Sequence, residues 1–205
     1  MSFMDNFKKA FGVLLHPGKE TKRSMGIGDA LKFYYSVMII PMIIGIIFGA
    51  VMGVISPGLM AVSIVGVIIY YLIMFPLSIL VNAGIYHVII GKLFKMYKGK
   101  YDKVVSAFTY AIMPMVLVYW IILPITGGAT ALNSGSVLGS AATIGAAFAF
   151  GLVLAIIFGI WSFVVMVMGL SNQLNMSRLK AFGTLILEGV IVGIIYIVVL
   201  LATGL

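Results

Sequence analysis

Five long apolar runs, separated by short polar blocks, set the pattern of the chain; they cover about residues 33–55, 59–91, 104–125, 141–170 and 181–201. Each reaches the ~20 residues that a helix needs to cross a hydrocarbon core, and none shows the alternation of a half-buried strand. The pattern predicts an all-α fold, a polytopic membrane helix bundle with five transmembrane helices. Ahead of the runs, Phe3, Phe7, Phe11, Leu14 and Leu15 recur at helical spacing, with Asp5, Lys8 and Lys9 elsewhere. That spacing predicts an amphipathic helix from Phe3 to Leu15, lying in the headgroup region with Phe3, Phe7 and Phe11 inserted and ended by His16-Pro17-Gly18. The chain thus divides into an amphipathic segment, residues 1–31, and a five-span domain, residues 32–205.

Details within the runs refine the elements. Asp29, after Gly28, reads as the N-cap of the first long helix. Gly45, Gly49 and Gly53 follow at intervals of four and mark a seam where a second helix can approach closely. Ser56-Pro57-Gly58 reads as a turn. The second run is too long for one perpendicular crossing. Dividing it at Pro76 would send the next basic loop to the wrong side, so one long helix, kinked near Pro76, is expected. Residues 126–140, rich in Gly, Ser and Ala and uncharged, read as a loop.

Charge sets the topology. The composition is 63% hydrophobic and 9% charged, with formal net charge +8. With five spans, all 13 Lys and Arg fall on one side: before the first run, between the second and third, and between the fourth and fifth. Cytoplasmic flanks of spans collect Lys and Arg, so the N-terminus is expected in the cytoplasm and the C-terminus outside. The positive charge is accounted for this way and not by nucleic acid. Lys92, Lys95, Lys98, Lys100 and Lys103 crowd the loop GKLFKMYKGKYDK. Clustered lysines beside spans attract anionic lipid headgroups.

Candidate chemistry inside the spans is sparse. Glu188 is the one carboxylate placed well within a run, and a carboxylate there needs a partner or water. Asn82, His87, Thr109, Tyr110 and Thr184 lie at similar depth and complete a candidate intramembrane polar cluster. Trp161 is read as packing between helices, whereas Tyr34, Tyr35, Tyr119 and Trp120 are read as interfacial anchors. The absence of Cys excludes thiol catalysis. No catalytic motif, metal-ligand spacing or cofactor fingerprint is present. The expectation is a non-enzyme without metal or cofactor.

Three stretches carry a resemblance. HPGKETKRS precedes the first span, a basic loop with Gly99 precedes SAFTYAIMP (Tyr110, Ala111, Pro114), and Trp161, Gly169, Leu170, Ser177 and Lys180-Ala181 follow in order. Together they resemble the Yip domain family (Ypt/Rab-interacting proteins), in the compact form of its prokaryotic members. The resemblance implies five spans with a cytoplasmic N-terminus. Its eukaryotic members act in membrane traffic between the endoplasmic reticulum and Golgi and contact prenylated Rab GTPases. Two functions are therefore carried forward. One is a membrane-organising or partner- and lipid-recruiting protein of a prokaryotic plasma membrane, acting through its basic loops. The other is a small homo-oligomeric transporter or channel with Glu188 in a polar pocket open to the cytoplasm.

Overall fold

The computed structural model describes residues 3–55, 64–132 and 137–203, and these contain helices and connecting turns without a strand. In chain order the helices are α1 (Phe3–Leu15), the one-turn α2 (Pro17–Glu20), α3 (Ile27–Ile55), α4 (Ile64–Leu93), α5 (Tyr101–Leu132), α6 (Val137–Leu174) and α7 (Arg178–Thr203). Five stretches are long and apolar enough to cross a membrane: Ile27–Ile47, Ile64–Leu93, Tyr101–Tyr119, Ala149–Leu174 and Arg178–Thr203. The all-α, five-span reading of the chain is thereby met.

The α5–α6 hairpin is the spine. A Cβ added at Gly169 would meet the Cα, Cβ and carbonyl oxygen of Ala107 at 3.3–3.4 Å, whereas one at Gly151 would meet Ile122 at 3.6 Å. The two helices are thus antiparallel and close together at the Gly169 crossing, where the missing side chain lets backbones approach. Helices α3 and α4 pack against α5, and α7 lies outermost against α6. In α5, 67% of the most apolar window is buried, against 0% in α7, although α5 is the least apolar of the five spans and α7 the most. Lipid solvates apolar surface freely, so the helix with polar residues to satisfy takes the interior. The largest buried side chains of the described residues, among them Phe33, Tyr34, Tyr86, Ile90, Tyr110 and Leu170, sit on α3 to α6, with Val13 from α1, and none belongs to α7.

Helix α4 runs unbroken through Pro76, as expected, by winding more loosely before it. Residues Tyr70–Met74 are π-helical, so the Phe75 N–H reaches back five residues to the Tyr70 carbonyl. The next bond of that ladder would join Tyr71 to Pro76, which has no N–H. The Tyr34 hydroxyl of α3 donates to the Tyr71 carbonyl instead, and Tyr35 donates to that of Leu72, both at 2.9 Å. Tyr34 is fully buried and stacks on Phe75 with ring centroids 5.7 Å apart. The interfacial role expected of Tyr34 therefore gives way to a backbone-capping one. A second π-helical stretch, His87–Leu93, ends α4.

Other expectations shift. Helix α3 begins at Ile27, so Asp29 lies in its first turn and not at its N-cap. Helices α5 and α6 continue into the stretch read as a loop, to Leu132 and from Val137, because nothing there breaks a helix as Pro does. Gly45 packs on Val67 of α4, whose side chain would lie 3.1 Å from an added Cβ. Gly49 and Gly53 lie further along the same helix, and the 56–58 turn lies outside the described residues.

Candidate functional site

The amino-terminal segment is bound into the bundle chiefly through its backbone carbonyls. Trp161 of α6 donates its indole N–H to Leu14 O at 2.9 Å. Near the end of α6, Asn172 donates to Gly18 O and to the Thr21 hydroxyl, and Gln173 donates to Thr21 O. From α5, the Tyr110 hydroxyl donates to Arg23 O at 2.8 Å, and the Ser106 hydroxyl accepts the Met25 N–H at 3.2 Å. The stretch from Leu14 to Met25 makes its own turns around α2 and takes further backbone partners from two spans.

Helix α1 is seated by the side that its amphipathic pattern leaves polar. Asn6, Lys9, Ala10 and Val13 are buried, and Asn6 donates to the Ser36 hydroxyl of α3 at 2.9 Å. Phe3, Phe11 and Leu15 stay exposed, and the rings of Phe3, Phe7 and Phe11 form a ladder with centroids 5.2 and 6.4 Å apart. Lys9, which the pattern places off the apolar face, is buried over two rings. Its ammonium lies 4.8 Å above the Tyr110 ring and 5.5 Å above the Phe33 ring, with no hydrogen-bond partner among the described residues. Burial, reinforced by Arg23, lowers its pKa to about 8, against the opposing pull of Glu20 and Asp29.

The residues that hold this segment stand in the same stretches that carried the sequence resemblance. A family model described as the Yip1 domain matches residues 11–204. The chain belongs to the Yip1 domain family. No curated protein sequence and no solved structure matches it. Its Yip1 domain and five apolar helices make it an integral, multi-pass membrane protein of a non-catalytic family.

The Yip1 domain gathers its basic segments at one end. The turn between α4 and α5 and the turn between α6 and α7 face each other across a cleft of about 530 Å³ lined by Lys95, Tyr97, Lys98, Asn175, Ser177 and Lys180, among others. Lys95 and Asn175 both adopt left-handed backbone, at φ 51° and 52°. Tyr97 closes the floor: a Cβ on Gly91 would sit 2.8 Å from its ring, so any side chain there would have to displace the phenol. Burial raises the Tyr97 phenol above its ordinary range. Of the five expected loop lysines, Lys95 and Lys98 line the cleft. Lys92, Lys100 and Lys103 lie outside it, and Lys180 joins from the other turn.

The expected intramembrane cluster resolves into separate contacts. Thr184 is fully buried, shares a 2.7 Å hydrogen bond with the Tyr86 hydroxyl, and lies one helical turn before half-buried Glu188. His87 Nδ1 is 2.7 Å from the Tyr97 hydroxyl, and its ring also packs on Tyr101. Thr109 donates to Val105 O within its own helix, and Tyr110 serves the amino-terminal segment. Asn82 donates to Ser78 O and lines a separate cavity whose walls do not include Glu188. No group of three His, Asp or Glu among the described residues has metal-site geometry. Sequence reasoning missed Lys9, Tyr86, Ser106, Asn172, Gln173 and Lys180. Asn172 and Gln173 had one usable signal, two amides adjacent in a nearly uncharged helix end.

Proposed function

We propose that this Yip1 protein acts without catalysis, organising membrane by recruiting anionic lipid headgroups, and a protein partner with them, to its basic end. The convergence of Lys95, Lys98 and Lys180 on one cleft supports the reading. Each ammonium beside a membrane adds about 1 kcal/mol of attraction for anionic lipid. Ser177, whose oxygen already accepts the Lys180 N–H, still has its own proton for a phosphate oxygen. On this reading the basic end is cytoplasmic and the membrane is the plasma membrane of a prokaryote. Binding of phosphatidylglycerol and chain-matched phosphatidylcholine to delipidated protein, followed by native mass spectrometry, tests it. Wild type should prefer phosphatidylglycerol. Lys95→Gln with Lys98→Gln and Lys180→Gln should lower that preference at least tenfold, whereas Lys100→Gln with Lys103→Gln should leave most of it. Equal binding of both lipids by wild type would overturn the reading.

A second reading, a small oligomeric transporter or channel, draws support from Glu188 beside the Tyr86–Thr184 pair. It requires ion flux into liposomes between pH 5 and 8 that Glu188→Gln abolishes. A wild type that carries no flux removes it.

A further inference from the structure

A small pocket of about 150 Å³ lies where the first turns of α3 meet the buried side of α1, and it shares no residue with the basic cleft. Asn6, Arg23, Ser24, Met25, Asp29 and Lys32 line it. Its walls are fixed. The Arg23 carbonyl accepts from Tyr110 and the Met25 N–H donates to Ser106, which pins the backbone on either side of Ser24 to α5. Ser36 gives its hydroxyl proton to Lys32 O and so can only accept from Asn6. The Asn6 amide is thereby oriented, with a second proton still to give.

The charges around the pocket are unspent. Asp29 and Lys32 stand three residues apart on α3, a spacing at which opposite charges ordinarily meet. Arg23 borders the same space, yet among the described residues neither cation is ion-paired to Asp29. Two cations and one carboxylate thus border one small volume without neutralising each other.

Size and position narrow the ligand. The pocket falls below the ~300–1,000 Å³ of sites for drug-sized molecules, so it suits a phosphate and a short amine better than a sugar or a nucleotide. Asp29 and Lys32 occupy the first two turns of α3, and Ser106 and Tyr110 the first three of α5, which places the pocket at the basic end of the bundle. Helix α1, which supplies Asn6, exposes Phe3, Phe11 and Leu15, and such a helix marks the boundary between headgroups and acyl chains. A guanidinium fork matches a phosphate, and Lys32 and the Ser24 hydroxyl add donors. Asp29 calls for an ammonium with N–H to give. A lone phosphodiester would leave that carboxylate uncompensated, and a trimethylammonium has no proton to offer it.

The geometry points to a site for a phosphate ester that carries a primary ammonium two carbons away, the headgroup of an ethanolamine-type phospholipid, with its phosphate on Arg23 and Lys32 and its ammonium on Asp29. The site is independent of headgroup recruitment at the basic cleft and survives if that reading fails.

Delipidated protein offered chain-matched phosphatidylethanolamine and phosphatidylcholine, and read by native mass spectrometry, tests it. The two headgroups carry the same net charge and differ in their N–H donors. Wild type should prefer phosphatidylethanolamine about three- to tenfold, the effect of one hydrogen bond. Asp29→Ala should remove most of that preference, and Arg23→Gln should weaken binding of both lipids. Lys95→Gln with Lys98→Gln and Lys180→Gln should leave the preference unchanged. In liposomes, a carbodiimide that joins the lipid amine to an adjacent carboxylate locates the site. Adducts should fall on Asp29 far more than on Asp102, at the start of α5 and the same end of the bundle. Equal binding of both lipids by wild type, a preference that survives Asp29→Ala, or equal adducts on Asp102 and Asp29 would overturn the site. Free phosphoethanolamine in excess should leave most adducts in place; their loss would overturn the lipid as the source of the headgroup.

Discussion

Lys9 is where charge, burial and docking meet. Its ammonium rests on Tyr110 and Phe33, an attraction of about 1–2 kcal/mol when desolvated, yet the site as a whole disfavours the charge. Because its pKa falls from 10.5 to about 8 on docking, the released helix binds more protons between those values. Docking of α1 therefore tightens as pH rises from about 8 to 10.5 and is weakest below that window. A fluorescence pair on α1 and α3 should report this change in wild type, and Lys9→Met should flatten it. Tyr110→Phe acts at the same place by leaving Arg23 O without its donor. It should cost about 1–3 kcal/mol, read as a lower melting temperature.

Among the elements, α4 makes the strongest prediction. The carbonyl that Pro76 leaves idle is served by a hydroxyl from α3, so proline and tyrosine form one device. Tyr34→Phe alone should destabilise by about 1–3 kcal/mol, because Tyr71 O loses its donor in a setting without water. Pro76→Ala in that background should restore much of the loss, since the new N–H supplies a donor from within α4. Equal melting temperatures for the single and double variants would refute the coupling. The α5–α6 hairpin answers differently. Gly169→Val must push against the backbone of Ala107 and should cost about 1–3 kcal/mol or more by overpacking.

For the whole molecule, the bilayer reverses the usual relation between hydrophobicity and burial. The most apolar span, α7, is the most exposed, and α5 is the axis. The expected topology is open to direct measurement because the chain has no cysteine. In intact cells, Lys100→Cys should be shielded from a membrane-impermeant maleimide and Thr203→Cys should react.

Five spans, their helical character, the amphipathic α1 and the grouping of Lys and Arg before the first apolar run, between the second and third, and between the fourth and fifth were legible from the residues alone. The physical reason is that bilayer thickness sets the length of a crossing, and charge is too costly to leave inside it. Family membership was equally legible, in short stretches whose purpose was not. Ser106, Tyr110, Trp161, Asn172 and Gln173 prove to be hydrogen-bond partners of the amino-terminal segment, mostly of its carbonyls, which no pattern of side chains reveals. Only the tertiary structure decided which polar groups meet. Residues at equal depth, such as Asn82, His87 and Glu188, looked like one cluster because sequence gives height along a helix. The direction a span faces is set by close contacts such as Gly169 on Ala107, since lipid accepts any apolar face equally well.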